Sequence, residues 1–334
     1  MRWLVAGAWC LVTVAPGAAA RAQRTHLLIV SGLGGEPQYS EQFRNLGLAL
    51  ADVARKRYTI SDSDIVYLAE EGAKDPRISG ASTKMNVEAA LARFAKRAAA
   101  GDGVVIVLFG HGSGSGEDSK ISLPGPDLSA RDFARDLAPF SAQQVAFVDL
   151  TSASGDMLPV LSAPNRIVIT ATKSSFERNE SVFAKHFVAA LTGDGADVDK
   201  DGRVSLLEAY RYAATETKRY YDDQGRLQTE HAQLDDNGDK AGTAEPDVRV
   251  AAGSDGALAR RIFLGGAVYA SAAGANDPKL SALYKERFAL EARLDELKKR
   301  KASLSVDAYD DALEDLLVEL AMKAKAIRAM EGRS

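Results

Sequence analysis

The fold is decided by residues 104–170, which contain three apolar runs: Val104-Val-Ile-Val-Leu-Phe109, Val145-Ala-Phe-Val148 and Arg166-Ile-Val-Ile-Thr170. Short runs that are apolar at nearly every position are typical of parallel strands covered by helices on both faces. The first run leads into Gly110-His111-Gly112, and the second into Asp149-Leu-Thr-Ser152-Ala-Ser-Gly155. Because ligands and catalytic groups collect at the carboxyl ends of such strands, we expect His111 and Ser152 to lie side by side.

Strand and helix signals also alternate before this stretch. His26-Leu-Leu-Ile-Val30 and Ile65-Val-Tyr-Leu68 are predicted strands, and a helix is predicted between them over 39–55. Thr83 is the predicted N-cap of a second helix, which leads towards the strand that begins at Val104. This alternation predicts an α/β fold in three layers, with a mainly parallel sheet at its centre.

Several glycines follow the first predicted strand, in Ser31-Gly-Leu-Gly-Gly35. They resemble half of a dinucleotide-binding fingerprint, but Pro37 stands where the third glycine belongs. A tight turn that lines the site is therefore the favoured interpretation.

Length, charge and cysteine content limit the possible functions. The chain has 334 residues, enough for one domain of roughly 200 to 250 residues and a smaller unit. Its net charge of −4 at pH 7 argues against a broad basic surface, so we predict no nucleic-acid partner. The single cysteine, Cys10, lies in the apolar N-terminal segment. Removal of that segment would leave no cysteine nucleophile, disulfide or thiolate metal site.

Residues 1–22 have the pattern of a signal peptide. Arg2 precedes an apolar stretch from Trp3 to Val14, and small residues at 18–22 offer cleavage sites. An apolar stretch of about 13 residues is short for a membrane span, which needs ~20. We therefore predict cleavage before Gln23 and a secreted or periplasmic protein without a stable membrane anchor.

A twelve-residue segment, Asp197-Val-Asp-Lys-Asp-Gly-Arg-Val-Ser-Leu-Leu-Glu208, matches the calcium loop of an EF-hand. In such a loop, oxygen ligands stand at positions 1, 3, 5, 7, 9 and 12, and a glycine at position 6 makes the turn. The predicted Ca²⁺ ligands are Asp197, Asp199, Asp201, the Arg203 carbonyl, Ser205 and Glu208. An acidic helix cap without a metal is the alternative interpretation.

Residues 222–275 are polar and rich in turns. An Asn-Gly surface turn is predicted in Asp235-Asp-Asn-Gly-Asp239, with a second cation site as the alternative, and a last strand is predicted at Arg261-Ile-Phe-Leu264. Glu177, Arg178 and His231 have no evident partners in the sequence. Glu177 and Arg178 are interpreted as solvated charges, with contact to a ligand as the alternative, and His231 is interpreted as structural.

Residues 276–331 have a different character. Leucines in the first half, and Tyr309, leucines and Ile327 in the second, follow a 3-4 spacing, and charges fill the other faces. A break at 303–307 separates the halves, so the pattern predicts two helices in an antiparallel hairpin. The hairpin either packs only on itself or serves as an arm for self-association or docking.

The order of elements around His111 and Ser152 resembles that of the legumain- and caspase-type cysteine peptidases, including the C13-like family. Phe109-Gly-His111-Gly112 resembles the block in which a strand of these enzymes ends in His-Gly. Leu150-Thr-Ser152-Ala-Ser-Gly155 resembles the block that carries their nucleophile. The resemblance covers residues 24–221. It implies a caspase-like fold, with a peptide or protein as partner.

Where these enzymes have a cysteine, this chain has Ser152. A thiolate forms readily beside a histidine, whereas a serine hydroxyl needs a well-aligned base, usually oriented by a carboxylate. Asp149 is the nearest carboxylate in the sequence, but strand alternation directs it away from the site.

Three functional interpretations follow. The first is a pseudo-peptidase that binds a peptide or acts as a scaffold. The second is a hydrolase with Ser152 as nucleophile and His111 as base, in which the N–H groups of Gly112 and Ser152 bind the oxyanion. The third is a structural, calcium-stabilised module that acts through the C-terminal hairpin.

Overall fold

The computed structural model describes residues 24–72, 75–198, 203–246, 254–265 and 278–330. The predicted signal peptide at 1–22 lies outside these ranges. Within them, no helix is both long and apolar enough to cross a membrane.

The α-helices are α1 Pro37–Lys56, α2 Lys84–Arg97, α3 Ala130–Leu137, α4 Leu158–Leu161, α5 Phe183–Thr192, α6 Leu206–Asp223, α7 Pro278–Lys299 and α8 Val306–Met330. The strands are β1 Thr25–Ser31, β2 Ile65–Ala69, β3 Gly80–Ala81, β4 Gly103–Phe109, β5 Gly112–Ser113, β6 Lys120–Ile121, β7 Leu128–Ser129, β8 Gln144–Asp149, β9 Arg166–Thr170 and β10 Gln233–Asp235.

A seven-stranded sheet in the order β10-β9-β8-β4-β1-β2-β3 forms the centre of the fold. All neighbouring strands are parallel except β9 and β10, which are antiparallel. The predicted α/β class with a mainly parallel sheet is thus confirmed. Strands β4 and β8 are neighbours, with Leu108 opposite Asp149, so their carboxyl ends lie at the same edge of the sheet.

Helices cover both faces of this sheet because successive strand residues point to opposite sides. Leu27 and Ile29 of β1 pack into one apolar core with α1, α5 and α6. Leu28 and Val30 of the same strand pack into a second core with α2, α3 and α4. The two cores give the three-layer arrangement that the apolar strands predicted.

Two of the helices on the second face, α2 and α3, begin at side-chain caps. The Thr83 hydroxyl accepts a hydrogen bond from the Asn86 N–H (3.3 Å), so the predicted cap of α2 is present. At α3, Ser129 and Asp132 form a reciprocal capping box. Both caps satisfy N–H groups that have no partner within the helix.

The glycine- and serine-rich segment after β4 forms a small three-stranded antiparallel sheet, β5-β6-β7. The Ser122 N–H donates to the His111 carbonyl (2.9 Å), and the Ser122 carbonyl accepts from the Leu33 N–H (2.9 Å). This small sheet therefore ties the backbone of His111 to the turn that follows β1.

The sheet ends in a strand that local sequence does not predict. β10 pairs with β9 through Gln233 opposite Thr170. The predicted last strand at 261–264 is absent, since a 3₁₀ turn occupies Ala259–Arg261 and only Phe263 makes an isolated bridge, to Ser205. Ile262, Phe263 and Leu264 are buried, so their apolar character reflects packing of a loop and not a strand.

Helices α7 and α8 form the predicted antiparallel hairpin. Leu280 near the start of α7 packs with Ile327 near the end of α8, and Leu290 and Leu294 pack with Leu316. These contacts are those of 3-4 spaced apolar residues on two facing helices.

Candidate functional site

The carboxyl ends of β4 and β8 meet closely. The Gly112 N–H points at the Ser152 hydroxyl oxygen across 3.4 Å. A methyl group added at Gly112 would stand 2.2 Å from the Ser152 carbonyl oxygen. Only a glycine fits here, which places the His-Gly block against the Ser152 block, as the sequence predicted.

His111 is held in one orientation. Its Nε2 lies 3.2 Å from the Gly34 carbonyl oxygen, and the rings of Tyr39 and Phe43 pack edge-on against it at centroid distances of 5.3 and 5.2 Å. Because a carbonyl oxygen only accepts, Nε2 carries the proton. In the neutral ring, Nδ1 is then the nitrogen with the free lone pair, the one able to accept a proton.

Ser152 lacks the partners of an activated nucleophile. It is buried, with 2% of its surface exposed, and the described residues show no hydrogen bond between its hydroxyl and the His111 ring. The group behind His111 is the neutral Gly34 carbonyl, not a carboxylate. The described residues therefore do not align a base with the Ser152 hydroxyl as a serine nucleophile needs.

Asp149 does not orient His111. Its Oδ1 accepts from the Thr151 N–H (3.0 Å) and from the Thr151 hydroxyl (2.7 Å). Complete burial raises the pKa of this carboxyl to about 6, and the two hydrogen bonds from Thr151 oppose that shift. Its role is to fix the first turn after β8.

The turn that carries Ser152 is clamped from the neighbouring strand end. Ala153 has a left-handed backbone (φ 55°), and its N–H donates to the Glu177 carbonyl (2.7 Å). The Gly155 backbone lies so close to Lys173 that a methyl group there would stand 2.1 Å from the Lys173 carbonyl carbon. Residues 171–177 therefore hold the Ser152 turn in place.

A second histidine lies at this edge of the sheet, and local sequence did not reveal its partner. His231 Nδ1 is 2.5 Å from Glu177 Oε1, and Glu177 Oε2 accepts from the His231 N–H (2.9 Å). The His231 side chain is 41% exposed and Glu177 only 11%. The interpretation of Glu177 as a solvated charge was thus wrong. A carboxylate accepts the Nδ1 proton, which leaves Nε2 of His231 as the available acceptor.

Glu230 is a buried carboxylate that the sequence analysis also missed. It is 1% exposed. It accepts from the Val182 N–H (2.8 Å), the Phe183 N–H (3.2 Å) and the Ser181 hydroxyl (2.9 Å) at the start of α5. Burial raises its pKa, and these hydrogen bonds oppose the shift. Glu230 caps α5 from outside the helix and positions the adjacent His231.

A cavity of about 390 Å³ adjoins the turn after β1. Glu41, Glu70 and Glu71 line it together with Arg44. Glu70 Oε2 accepts from the Ser40 hydroxyl (2.7 Å) and the Gly34 N–H (3.2 Å). Since the Gly34 carbonyl holds His111, this turn connects the cavity to the histidine.

The predicted calcium loop is described in part. Asp199 and Asp201 lie outside the described residues. Ser205 and Glu208 form a capping box at the start of α6, and Glu208 Oε1 accepts from the Val198 N–H (3.0 Å). Asp197 is buried, and the Arg203 guanidinium lies 4.2 Å from the Phe263 ring centroid. Among the described residues alone, no three acidic, histidine or cysteine side chains converge as metal ligands.

The second acidic run, at 235–239, is not a simple surface turn. Gly238 has the expected left-handed backbone (φ 82°), but Asp235 and Asp236 are buried. Asp236 accepts from the N–H groups of Gly256, Leu258 and Ala259 (2.9, 2.8 and 2.7 Å). Asp236 therefore holds the backbone of residues 256–259 against this acidic run.

No family model and no curated protein matches this chain. Among solved structures, it is similar to the crystal structure of protein GSU0716 from Geobacter sulfurreducens. That similarity has a TM-score of 0.39 and 11% sequence identity, and it covers 58% of this chain and 89% of the other.

Proposed function

We propose that this protein is a pseudo-peptidase: a legumain- or caspase-like domain that binds a peptide at the carboxyl edge of its sheet without cleaving it. One observation carries the proposal. The Gly112 N–H and the Ser152 hydroxyl face each other at neighbouring strand ends, as expected for the resemblance, but the described residues provide no hydrogen-bonded base for that hydroxyl.

The energetic argument concerns the missing base. A general base typically accelerates proton transfer by ~10²–10⁴-fold, and an unassisted serine is a weak nucleophile at neutral pH. His111 keeps an acceptor nitrogen, Nδ1, but its proton-bearing side faces a carbonyl, which supports a developing imidazolium far less than a carboxylate does. The site therefore favours binding over hydrolysis.

The cavity beside the turn after β1 supports a choice of peptide. Among the described residues that line it, carboxylates outnumber cations, and Arg44 is the one basic side chain. Opposite charge attracts a ligand and orients it. We therefore propose a peptide with a lysine or arginine side chain, exported together with this domain if the predicted signal peptide is cleaved.

The reactivity of Ser152 tests the proposal that the domain does not cleave its peptide. The purified protein should not react with a fluorophosphonate probe, and Ser152→Ala should behave like the wild type. Labelling that disappears in Ser152→Ala would overturn the proposal in favour of the hydrolase. Ser152→Cys adds a second readout, since peptidase activity in that variant would show that the nucleophile atom alone is missing.

Binding is tested with arrayed peptides that differ only in one central side chain. We expect retention of those with lysine or arginine. Glu41→Lys, at the exposed rim of the cavity, should abolish retention. Asn45→Lys is the control, because it adds a cation one helical turn further along α1. Equal retention of basic and acidic peptides, or no effect of Glu41→Lys, would contradict the proposed pocket.

A second proposal concerns calcium. The Val198–Glu208 hydrogen bond joins positions 2 and 12 of the predicted loop, which supports a closed loop that brings Asp197 and Glu208 together. Calorimetric titration with Ca²⁺ should show one binding event that Asp197→Ala and Glu208→Ala abolish. Asp194→Ala, just outside the loop, should leave it intact. Unchanged binding in the first two variants would exclude this loop as the site.

A further inference from the structure

Helix α8 has two apolar sides, although a hairpin of two helices requires only one. The inner side packs against α7 through buried Leu316 and Ile327. On the other side, Leu317, Val318 and Met322 are 49%, 53% and 66% exposed. Leu317, Val318 and Ala321 border a shallow apolar groove whose rim is acidic. Exposed apolar side chains that adjoin one another in this way mark interaction surfaces.

The outer side has the spacing of a helix–helix contact. We define the outer stripe of α8 as Asp311, Glu314, Val318, Ala321 and Lys325, with Leu317 and Met322 beside it; all seven are exposed. The five members follow a 3-4 spacing, which places them on one face of the helix. A second helix could therefore pack along this stripe in the manner of a coiled coil.

Charges at the two ends of the stripe define the partner. Its N-terminal end carries Asp311 and Glu314, and its C-terminal end carries Lys325. A second α8 in antiparallel orientation, with a two-fold axis between 318 and 321, would set Glu314 opposite the partner subunit's Lys325. Val318 would then face the partner subunit's Ala321. A parallel pair would instead bring Glu314 onto its own copy, a like-charge contact that destabilises.

We propose that the outer stripe of α8 is the contact between two copies of this chain, paired antiparallel about a two-fold axis. Such a contact is self-complementary, as a symmetric dimer requires. The helix dipole does not account for the charge order, since its effect is confined to the first and last turns and Glu314 and Lys325 lie further inside α8. A membrane surface is not favoured either, because helices that bind lipid carry lysine and arginine beside the apolar face, whereas Asp315 and Glu319 flank this one.

Sedimentation analysis over a range of concentrations tests the proposal. The purified protein should double its mass as its concentration rises. Glu314→Lys and Lys325→Glu should each weaken association by about tenfold or more, because each replaces two attractive contacts of the symmetric pair by two repulsive ones. The double variant, Glu314→Lys with Lys325→Glu, should regain association, since it restores opposite charges in the antiparallel pair alone.

Two controls separate this contact from other effects. Lys301→Glu reverses a charge at the turn between the helices, away from the stripe, and should associate like the wild type. Helical content measured by circular dichroism should be the same in all variants. A monomer at every concentration, or a double variant as weak as either single one, would overturn the proposal. Neither outcome depends on whether the α/β domain binds a peptide.

Discussion

Gly112→Ala tests whether the two strand ends that form the site are as close as the structure has them. The added methyl carbon would lie 2.2 Å from the Ser152 carbonyl oxygen and 3.0 Å from the Thr151 hydroxyl oxygen. A carbon and an oxygen normally approach to about 3.3 Å. The ends of β4 and β8 must therefore separate by roughly 1 Å to admit the methyl group.

The cost follows from two opposing effects. Overpacking of this kind destabilises by about 1–3 kcal/mol. The backbone of Gly112 is not left-handed, so alanine fits it without strain. Alanine also lowers the conformational entropy of the unfolded chain, which stabilises the folded protein by ~0.4–1 kcal/mol. The net loss is about 1.3 kcal/mol. In a unit of this size, that lowers the melting temperature by about 3–5 °C.

Thermal and urea unfolding of the variant provide the assay. The matched control is Gly103→Ala at the start of β4, where the nearest atom, the Thr25 hydroxyl oxygen, is 3.4 Å away. That variant should stay within about 0.5 kcal/mol of the wild type. If Gly112→Ala proves as stable as Gly103→Ala, the two strand ends are not in contact and the site as described is wrong.

Three further predictions concern carboxylates around the site. Glu177→Gln removes a charged hydrogen bond, so it should lower the free energy of unfolding, measured in urea, by about 1 kcal/mol. It should also shift the Nδ1 proton resonance of His231 upfield. An unmoved resonance would contradict the Glu177–His231 pair. Burial raises the pKa of Asp149 to about 6, above ~3.9 in the unfolded chain, so its contribution to stability is complete below pH ~4 and is lost as the pH rises through about 6. Asp149→Asn should make the free energy of unfolding depend less on pH between about 4 and 6. An equally steep dependence in the variant would show that the Asp149 carboxyl is not its cause. Glu230→Gln should lower stability by about 1–3 kcal/mol, because α5 loses a charged cap; an unchanged melting temperature would argue against that role.

Sequence patterns predicted the elements whose signal is local. The runs that became β4, β8 and β9 stand out because strands covered on both faces are apolar throughout. The Thr83 cap was predictable because its partner, Asn86, is three residues away. The approach of Gly112 to Ser152 followed from the rule that parallel strands end at one edge.

Other features depend on contacts between residues that are distant in the chain. Local sequence patterns could not predict those contacts. Glu177 meets His231 only because β10 returns alongside β9, 54 residues later. Ile262, Phe263 and Leu264 have strand-like composition but pack as a loop, and composition alone does not separate these two outcomes.

The lateral edges of the large sheet restrict how a partner can attach. In the described part of the chain, β3 at one edge has two residues and β10 at the other has three, so neither offers a long row of unpaired backbone groups. Strand addition, in which an incoming peptide extends a sheet sideways, needs such a row. We therefore expect the proposed peptide to approach over the carboxyl ends of the strands. Short edge strands also disfavour edge-to-edge pairing of sheets from different molecules, which leads to aggregation.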